Sequence, residues 1–451
     1  MKRRSVLLHA VMLAALLLTA FSGWAQHVVV LSIDGLLPDL YISATNRNLC
    51  RNLAALRDRG SSARSMIAVY PSVTYASHAS LATGTTPARH GVTANNVFDP
   101  VTVNGRGFWF ASDVQMPTIW DAAKKAGLTT AALSWPTTAG STNLDWNFPE
   151  FWTSPEGREI DFVRRYVRGD ILQQAQRAGR RLENVRLDNM AARDSFMTAA
   201  AVDILRRDKP NLLLVHLINL DHMEHDAGRN SAEVRDAMRQ IDFHLRSLVT
   251  ATRVAGTYDD TTFIVLGDHG SANVEFSIAP NTLLARAGFL KERDGRVEKW
   301  KAMVQNTGGS AALYLHDPSD TGTLRKVTAL LEKNRYDADG NPLFAIISRA
   351  ELTRIHGPAK PALYLEGAPG VMFSGSIGKG SWIRRASLDG NHGYLPHKPE
   401  MLTGFVISGA GARQGVELEQ VRDTDVAPTI AALLGFRFQT DEGRVLREFL
   451  K

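Results

Sequence analysis

The chain has 451 residues, 44% of them hydrophobic and 22% charged, with a formal net charge of +6. This length exceeds what one small core supports, so we expect one large α/β domain with an inserted part, or two domains. The charge is too small to indicate nucleic-acid binding, and the single cysteine, Cys50, excludes an internal disulfide.

The first 26 residues have the pattern of a secretory signal peptide. Three cations at positions 2–4 precede an apolar run, Val6 to Leu18, and Gly23-Trp24-Ala25 fits a small-residue cleavage site. The run is short for a membrane span. Cleavage after Ala25 would remove those three cations and leave a net charge of +3. We therefore expect an exported protein, periplasmic or secreted, with no membrane span in its mature part.

Apolar strand-like runs alternate with segments of helical spacing along most of the chain. The predicted strands are 27–33, 65–70, 129–134, 211–218, 261–266 and 402–408; the predicted helices are 49–59, one beginning near 75, 119–126, 191–206, 232–251, 324–333 and 424–434. This alternation is typical of βαβ units and predicts an α/β fold with a mostly parallel sheet. The pattern loosens over residues 279–387, which we interpret as an inserted subdomain in a core of 27–278 and 388–451.

Polar residues follow several of these strands. Asp34, Asp221 and Asp268 each come directly after or shortly after an apolar run, where ligands bind in open α/β sheets. A single Asp in such a place is more often a turn former or helix cap, so each alone is a weak signal. Together with three histidines, they indicate a metal site.

The histidines are spaced so that they can share ions with these carboxylates. His225 lies four residues after Asp221, on the same face of a helical turn, and His269 is adjacent to Asp268 between two glycines. His392 lies in a glycine-flanked loop. Zinc takes carboxylate oxygen and imidazole nitrogen at about 2.0–2.2 Å. Three Asp and three His thus predict two divalent ions, with zinc preferred, and a two-metal hydrolase.

Thr74 precedes the helix predicted to begin near Tyr75. A hydroxyl at a helix start faces unpaired N–H groups and the positive dipole end, which suit a phosphate. Thr74 or Ser72 could equally be an ordinary helix cap. Beside metal ligands, however, the Thr74 hydroxyl can become a nucleophile, since a bound dication lowers its pKa.

Several motifs together resemble the nucleotide pyrophosphatase/phosphodiesterase family of the alkaline phosphatase superfamily. In the family's order, the chain has SIDGLLPD, VTYASH followed by LATGTTPARHGVTANN, DHMEH, GDHG, GNHGY and DVAPTIAALLG. The resemblance implies a doubly wound α/β sandwich, with helices on both sides of an alkaline phosphatase-like sheet, and a dizinc centre.

The resemblance also implies residue roles. Asp34, Thr74, Asp268 and His269 would surround the metal that activates the nucleophile, whereas Asp221, His225 and His392 would hold the second metal. Asn95 would donate its amide to a phosphoryl oxygen, although Asn-Asn is also a common turn. Tyr75 would stack on the leaving group. The implied reaction is hydrolysis of a small phosphate diester through a phosphothreonine intermediate.

The chain departs from the family and its neighbours in ways that bear on substrate. Relatives commonly have Thr-Phe-Pro-Asn-His where this chain has Thr74-Tyr75-Ala76-Ser77-His78, so the family's nucleotide preference does not carry over directly. The Lys-x-Arg pair of some monoesterases does not follow the strand predicted at 129–134, where the chain has Ser134-Trp135-Pro136, and the sulfatase nucleophile motif is missing. Both features favour the diesterase branch. A phosphomonoesterase or phosphonate hydrolase is the alternative enzyme, and an exported metal-containing binding protein is the non-enzyme alternative.

Overall fold

The structure, a computed structural model, describes residues 25–43, 46–151, 159–186, 188–294, 296–378 and 380–451. The predicted signal peptide therefore lies outside the described residues, apart from Ala25 and Gln26. Within these ranges, no helix combines the length and apolar character that a membrane crossing requires.

The strands follow the predicted runs closely in most cases. In chain order they are β1 (His27–Ile33), β2 (Ser61–Ile67), β3 (Asn96–Asp99), β4 (Val103–Gly107), β5 (Thr130–Trp135), β6 (Trp146–Pro149), β7 (Leu212–Leu217), β8 (Thr261–Gly267), β9 (Ala272–Ile278), β10 (Leu290–Arg293), β11 (Arg296–Trp300), β12 (Ala302–Asn306), β13 (Ser310–Leu315), β14 (Phe344–Ile347), β15 (Leu363–Gly367), β16 (Gly370–Phe373), β17 (Ile383–Arg385), β18 (Gly390–Asn391), β19 (Thr403–Gly409) and β20 (Glu417–Arg422). The largest difference is β2, which lies about four residues before the run predicted at 65–70.

Each of the seven predicted helical segments corresponds to an observed helix, and the structure contains further helices that were not predicted. The helices are α1 (Asp39–Ile42), α2 (Arg51–Asp58), α3 (Thr74–Thr83), α4 (Pro87–His90), α5 (Ile119–Lys125), α6 (Glu159–Tyr166), α7 (Ile171–Arg177), α8 (Met190–Arg207), α9 (Asn219–Ala227), α10 (Ala232–Ala255), α11 (Pro280–Arg286), α12 (Thr321–Lys333), α13 (Arg349–Arg354) and α14 (Val426–Leu433). The spacing of apolar residues thus located the long helices to within a few residues.

The central sheet confirms the predicted α/β class. Its strand order is β20-β2-β19-β8-β1-β7-β5-β6. β1 pairs in parallel with both β7 and β8, and β5 pairs in parallel with β6 and β7. β19 is antiparallel to β2 and β8. The sheet is therefore mostly parallel, with one reversed strand inside it.

Apolar side chains cover both faces of this sheet, because successive residues of a strand point to opposite sides. Val29, Leu31 and Ile33 of β1 belong to the core that also contains buried residues of α8 and α10. Val28 and Val30 belong to a second core, shared with α5 and α14. Helices on both faces confirm the predicted sandwich.

Residues beyond β9 form smaller sheets. β12, β13, β15 and β14 make an antiparallel sheet in that order, with its own apolar cluster between residues 278 and 373. β9, which precedes residue 279, pairs with β16 and β17. The division into a core and a subdomain of 279–387 stays a prediction.

Candidate active site

Asp34 and Asp268 lie side by side at the carboxyl ends of two neighbouring inner strands of the central sheet. They follow β1 and β8, which are parallel neighbours with Ile33 opposite Gly267. The Nε2 atom of His269 lies 3.2 Å from Asp34 Oδ1 and 3.5 Å from Asp268 Oδ2. One ligand atom from each of these three buried residues lies within 4.8 Å of the others. The local sequence places them there because each Asp directly follows a parallel strand.

A second group of potential metal ligands is formed around α9. Asp221 and His225 are one helical turn apart, and His225 Nε2 lies 3.2 Å from Asp221 Oδ2. His392 Nε2 lies 3.9 Å from Asp221 Oδ1. The three ligand atoms are again within 4.8 Å of one another. The structure thus brings together, in two groups, the six carboxylate and imidazole ligands expected from the sequence.

Backbone carbonyls orient the three histidines. The Nδ1 atoms of His225, His269 and His392 lie 2.8, 3.0 and 3.1 Å from the carbonyl oxygens of Gly390, Gly270 and Ser72. A carbonyl oxygen only accepts, so Nδ1 carries the proton in each ring and donates it. In the neutral form of each ring, the Nε2 lone pair is then directed toward the carboxylates, where a bound metal ion would use it; this arrangement is common for metal-binding histidines.

The chemistry of this donor set fits divalent cations. Among the described residues, both oxygens of Asp34, Oδ1 of Asp221 and Oδ2 of Asp268 are buried without a hydrogen-bond partner. Buried carboxylates left in this way are costly unless a cation neutralises them. Burial and the nearby Asp34 charge raise the pKa of Asp268 to about 7. The crowding of these acids favours an ion at each group.

The charge of His269 gives the same indication. Burial by itself lowers the pKa of this imidazole, but the Asp268 and Asp34 carboxylates outweigh it and raise the pKa to about 10. The protein without metal therefore holds a proton where a cation is attractive. Metal binding would release that proton, since the imidazole must be neutral to act as a ligand.

Thr74 begins α3 and lies beside the first group. Val73 before it is extended, so the helix starts abruptly at Thr74. Its Oγ1 atom lies 3.2 Å from His269 Nε2. The rings of His269 and His392 stack with their centroids 3.7 Å apart. Because His392 belongs to the second group, His269 brings the two groups together beside the Thr74 hydroxyl. Thr74 therefore lies where a nucleophile between two metal sites would be needed.

Asn95 supports the start of α3 and also lines the cavity. Its Oδ1 accepts a hydrogen bond of 3.0 Å from the Tyr75 backbone N–H. Because the amide oxygen is engaged in this way, the NH₂ group is the part of Asn95 that a phosphoryl oxygen can meet. This position agrees with the role implied by the resemblance, which stays a prediction.

Tyr75 lies elsewhere than we expected. Its side chain is 0% exposed within the main core, and it does not line the cavity. Consecutive helix residues point about 100° apart, so a helix that turns Thr74 toward the cavity turns Tyr75 into the protein. Burial, and then the Glu150 carboxylate, raise the pKa of its hydroxyl well above the usual value. Tyr75 as placed cannot stack on a leaving group, and we correct that assignment.

The cavity beside Thr74 and the second group measures about 270 Å³. Its wall is formed by Thr74, Asn95, Asn96, Gly107, Trp109, Asp221, His222, His225 and His392. Trp109 and His222 are wall residues that the sequence pattern did not predict. Trp109 lies in a loop after the short β3–β4 hairpin and carries no motif. Of the described residues that line the cavity, none is Lys or Arg, so a single negative charge suits it better than two.

Four buried acids and histidines behind the metal groups were also missed. His216 lies in β7 and contacts Asp34, Glu150 contacts His216, and His78 lies 3.5 Å from Asp268 Oδ2. Glu224 is fully buried beside Gly35. Burial raises the pKa of its carboxyl well above the usual value, with Asp221 adding to it. A polar residue inside an apolar strand, as in LLLVHL, was the available signal for His216.

Comparison with known proteins agrees with this geometry. A sequence model described as type I phosphodiesterase / nucleotide pyrophosphatase matches residues 28–395. Similar curated proteins include an uncharacterised pyrophosphatase/phosphodiesterase of Schizosaccharomyces pombe, 26% identical over 54% of this chain and 44% of its own length. Venom phosphodiesterase 2 of Crotalus adamanteus is 24% identical over 50% of this chain and 25% of its length. The chain thus matches less than half the length of these relatives.

The fold is also found among solved structures. Murine ectonucleotide pyrophosphatase/phosphodiesterase 5 superposes with a TM-score of 0.67 at 20% identity, over 94% of this chain and 100% of that one. The same TM-score, identity and coverage are found for an inactive threonine-to-alanine variant of that mouse protein in complex with AMP. At this identity the similarity establishes the shared fold.

Proposed function

Because the chain belongs to the type I phosphodiesterase/nucleotide pyrophosphatase family, we propose that it is a metal-dependent hydrolase of phosphate diesters with Thr74 as its nucleophile. The observation that carries the proposal is the position of Thr74: its Oγ1 atom lies 3.2 Å from His269 of the first ligand group, and Thr74 lines the same cavity as the second group. A binding protein would need the ligands but not the hydroxyl between them. The convergence of both therefore favours an enzyme.

We assign the two ligand groups to two zinc ions. Asp34, Asp268, His269 and the Thr74 hydroxyl would hold one ion, and Asp221, His225 and His392 the other. Such a pair supplies Lewis-acid stabilisation of the attacking and leaving oxygens and lowers the pKa of the nucleophile. A structural zinc site is usually closed by four protein ligands, so the three-residue group around Asp221 is better suited to accept substrate.

The residues of this chain then act as follows. Thr74 Oγ1 loses its proton and forms a bond to phosphorus as the ester bond to the leaving group breaks, and the leaving oxygen takes up a proton to give a free alcohol or nucleotide. The phosphothreonine formed still carries the second ester group of the substrate, which water releases as a phosphate monoester. Asn95 donates its NH₂ group to a nonbridging phosphoryl oxygen. Water subsequently cleaves the phosphothreonine and restores the Thr74 hydroxyl.

The cavity favours diesters over monoesters. A diester carries one negative charge near pH 7, whereas a monoester carries close to two, and no lysine or arginine is among the described residues that line the cavity. Trp109 and His222 on its wall would contact the leaving group. Since a structural relative was solved with AMP, nucleotide-containing esters are the first substrates to test. We also propose that the protein is exported, with residues 1–26 as its signal peptide.

Replacement of Thr74 tests the nucleophile. In purified, zinc-loaded protein, Thr74→Ala should abolish turnover of bis(4-nitrophenyl) phosphate, because the attacking oxygen is gone, while most of the zinc remains bound. Thr198→Ala is a matched control, since Thr198 is also a buried threonine in a helix, with no hydrogen-bond partner for its hydroxyl in the described chain. Undiminished activity of Thr74→Ala would remove Thr74 from this role.

Zinc-loaded wild-type protein distinguishes the proposed diesterase from the alternative enzymes. We expect kcat/KM for the bis-ester to exceed that for 4-nitrophenyl phosphate and for phosphonoacetate. A higher value for the monoester or the phosphonate would reassign the substrate class without changing the site.

A further inference from the structure

A buried histidine bridges a proposed metal ligand and a second carboxylate. His216 is 0% exposed. Its Nε2 atom lies 3.3 Å from Asp34 Oδ2, and its Nδ1 atom lies 2.5 Å from Glu150 Oε2. The carbonyl oxygen of Ser134 lies 3.2 Å from the same Nδ1. All these partners are acceptors: Nδ1 donates hydrogen bonds to Glu150 and Ser134, whereas Nε2 faces Asp34 Oδ2 as an ion-pair partner.

The topology explains why His216 reaches Asp34. β7 is the parallel neighbour of β1, with His216 opposite Ser32. Residues two apart along an extended chain point to the same side, so Asp34, two residues after Ser32, continues on the face that His216 occupies. Glu150 directly follows β6 and reaches the other side of the imidazole ring.

We propose that His216 is a positioning residue that fixes the orientation of the Asp34 carboxylate for metal binding, and that Glu150 holds His216 in place. The inference rests on the proposed metal-dependent function. Asp34 has two distinct neighbours: its Oδ2 faces His216, whereas its Oδ1 faces the Nε2 of His269 at 3.2 Å. Because His216 holds one oxygen, the other is directed into the ligand group.

Packing alone does not account for these three side chains. Burying Asp34, His216 and Glu150 costs more than burying apolar residues of the same volume, and such networks are often replaceable by apolar residues without loss of stability. Carboxylate ligands of metals are commonly held by further hydrogen bonds, and loss of such a partner weakens metal binding by about 10–100-fold. A positioning role gives this costly network a function.

A third metal ion is the competing explanation. His78, His216 and Asp268 also have ligand atoms within 4.8 Å of one another. However, His78 Nδ1 lies 2.8 Å from the Thr74 carbonyl oxygen, to which it donates, and both nitrogens of His216 face carboxylates. These three nitrogen atoms therefore already face oxygen partners, which favours a positioning role over a third metal ion. Three equivalents of zinc per chain, with one lost in a His216 variant, would overturn the proposal.

Two substitutions of similar shape test the two contacts of His216 separately. The amide nitrogen of Gln occupies about the position of histidine Nε2, and that of Asn about the position of Nδ1. His216→Gln therefore keeps a donor for Asp34, whereas His216→Asn keeps only the donor for Glu150. His90→Gln is the control, because His90 is equally buried but bonds to Ser80 and Val92 instead.

Zinc affinity by chelator competition, and the visible spectrum of the cobalt-loaded protein, give readouts beyond activity. His216→Asn should bind zinc about 10–100-fold more weakly and show an altered cobalt spectrum. His216→Gln, which keeps the donor for Asp34 but loses the contact with Glu150, should be weakened less, and His90→Gln should resemble the wild type. Equal affinity and spectra for Asn and Gln variants would overturn the inference. If the Asn variant fails to fold, Glu150→Gln decides: it should weaken zinc binding measurably, and unchanged affinity would count against the role. A wild type that binds no zinc would instead refute the proposed function.

Discussion

At the scale of single residues, Gly35 sets how closely the two ligand groups approach. Its φ is +73°, and a Cβ atom there would lie 2.4 Å from Glu224 Oε2 and 3.3 Å from the Asp221 Cα. Only glycine combines this backbone conformation with so close a contact. The absence of a side chain directly after Asp34 thus allows α9, which carries Asp221, to pack against the end of β1.

Substitution of Gly35 should consequently affect zinc binding more than folding. Gly35→Ala must displace Glu224 or the α9 backbone and so separate Asp34 from Asp221; we expect weaker zinc binding and at least a 10-fold loss of kcat/KM, on the order of 1.4 kcal/mol. Gly127→Ala is the matched control, with φ of +83° and nothing within 4 Å of the added Cβ. It should lose only about 1 kcal/mol of stability. Equal zinc affinity in the two variants would contradict this account.

The site residues differ in how far sequence could predict them. Asp34 and Asp268 were accessible because a carboxylate directly after a buried parallel strand has few places to point. His216 was not, since a histidine within a strand gives no sign of which neighbour it contacts. The role of Tyr75 was inferred only from its place directly after Thr74 in a family motif. Its ring instead points into the core, because the helix begins at Thr74 and turns the next side chain away from the cavity.

At the scale of elements, α3 is an entirely buried helix whose first turn faces the cavity. All ten of its residues are buried, and most are Ala, Ser or Thr. Small side chains let the helix pack tightly, so its N-terminus is held rigidly. Asn95 completes this terminus through the Tyr75 N–H, which couples the position of Thr74 to the loop before β3.

Two substitutions at Asn95 separate support of the helix from contact with substrate. Asn95→Asp keeps an oxygen acceptor for the Tyr75 N–H but loses the NH₂ donor, whereas Asn95→Ala loses both. Removal of one donor to a developing oxyanion costs about 100–1,000-fold in rate, so both variants should lose at least about 100-fold in kcat on a diester. Only Asn95→Ala should also lower the melting temperature. If Asn95→Asp retains full activity, the amide does not contact the transition state.

The direction of the strands within the sheet could not be predicted from the sequence. The runs that became β8 and β19 are both short, apolar and β-branched, yet β8 is parallel to β1 and β19 is antiparallel to β8. Side-chain alternation is the same in both directions along a strand. The direction instead follows from the connection, and more than a hundred residues of mixed pattern separate β8 from β19.

At the scale of the whole molecule, two apolar cores stabilise the sheet, but the carboxyl ends of its strands concentrate buried charge. Besides burial, the charge of Asp34 acts to raise the pKa of Asp221, Glu224 and Asp268. Cys50 forms no disulfide in the described structure, and burial raises the pKa of its thiol to about 12, which keeps it unreactive. Covalent cross-links therefore do not offset the repulsion among these acids.

Metal removal should accordingly destabilise the whole protein. A ligand present at 100 times its Kd stabilises the folded state by about 2.7 kcal/mol per site, so two zinc sites supply about 5 kcal/mol that chelation would remove. We expect the melting temperature to fall by at least about 5 °C after treatment with a chelator and to recover on addition of zinc. Asp221→Asn, which weakens one site and relieves part of the repulsion, should show a smaller fall. Protein shown by elemental analysis to be metal-free, yet melting at the same temperature as the zinc-loaded form, would contradict the coupling of these sites to the fold.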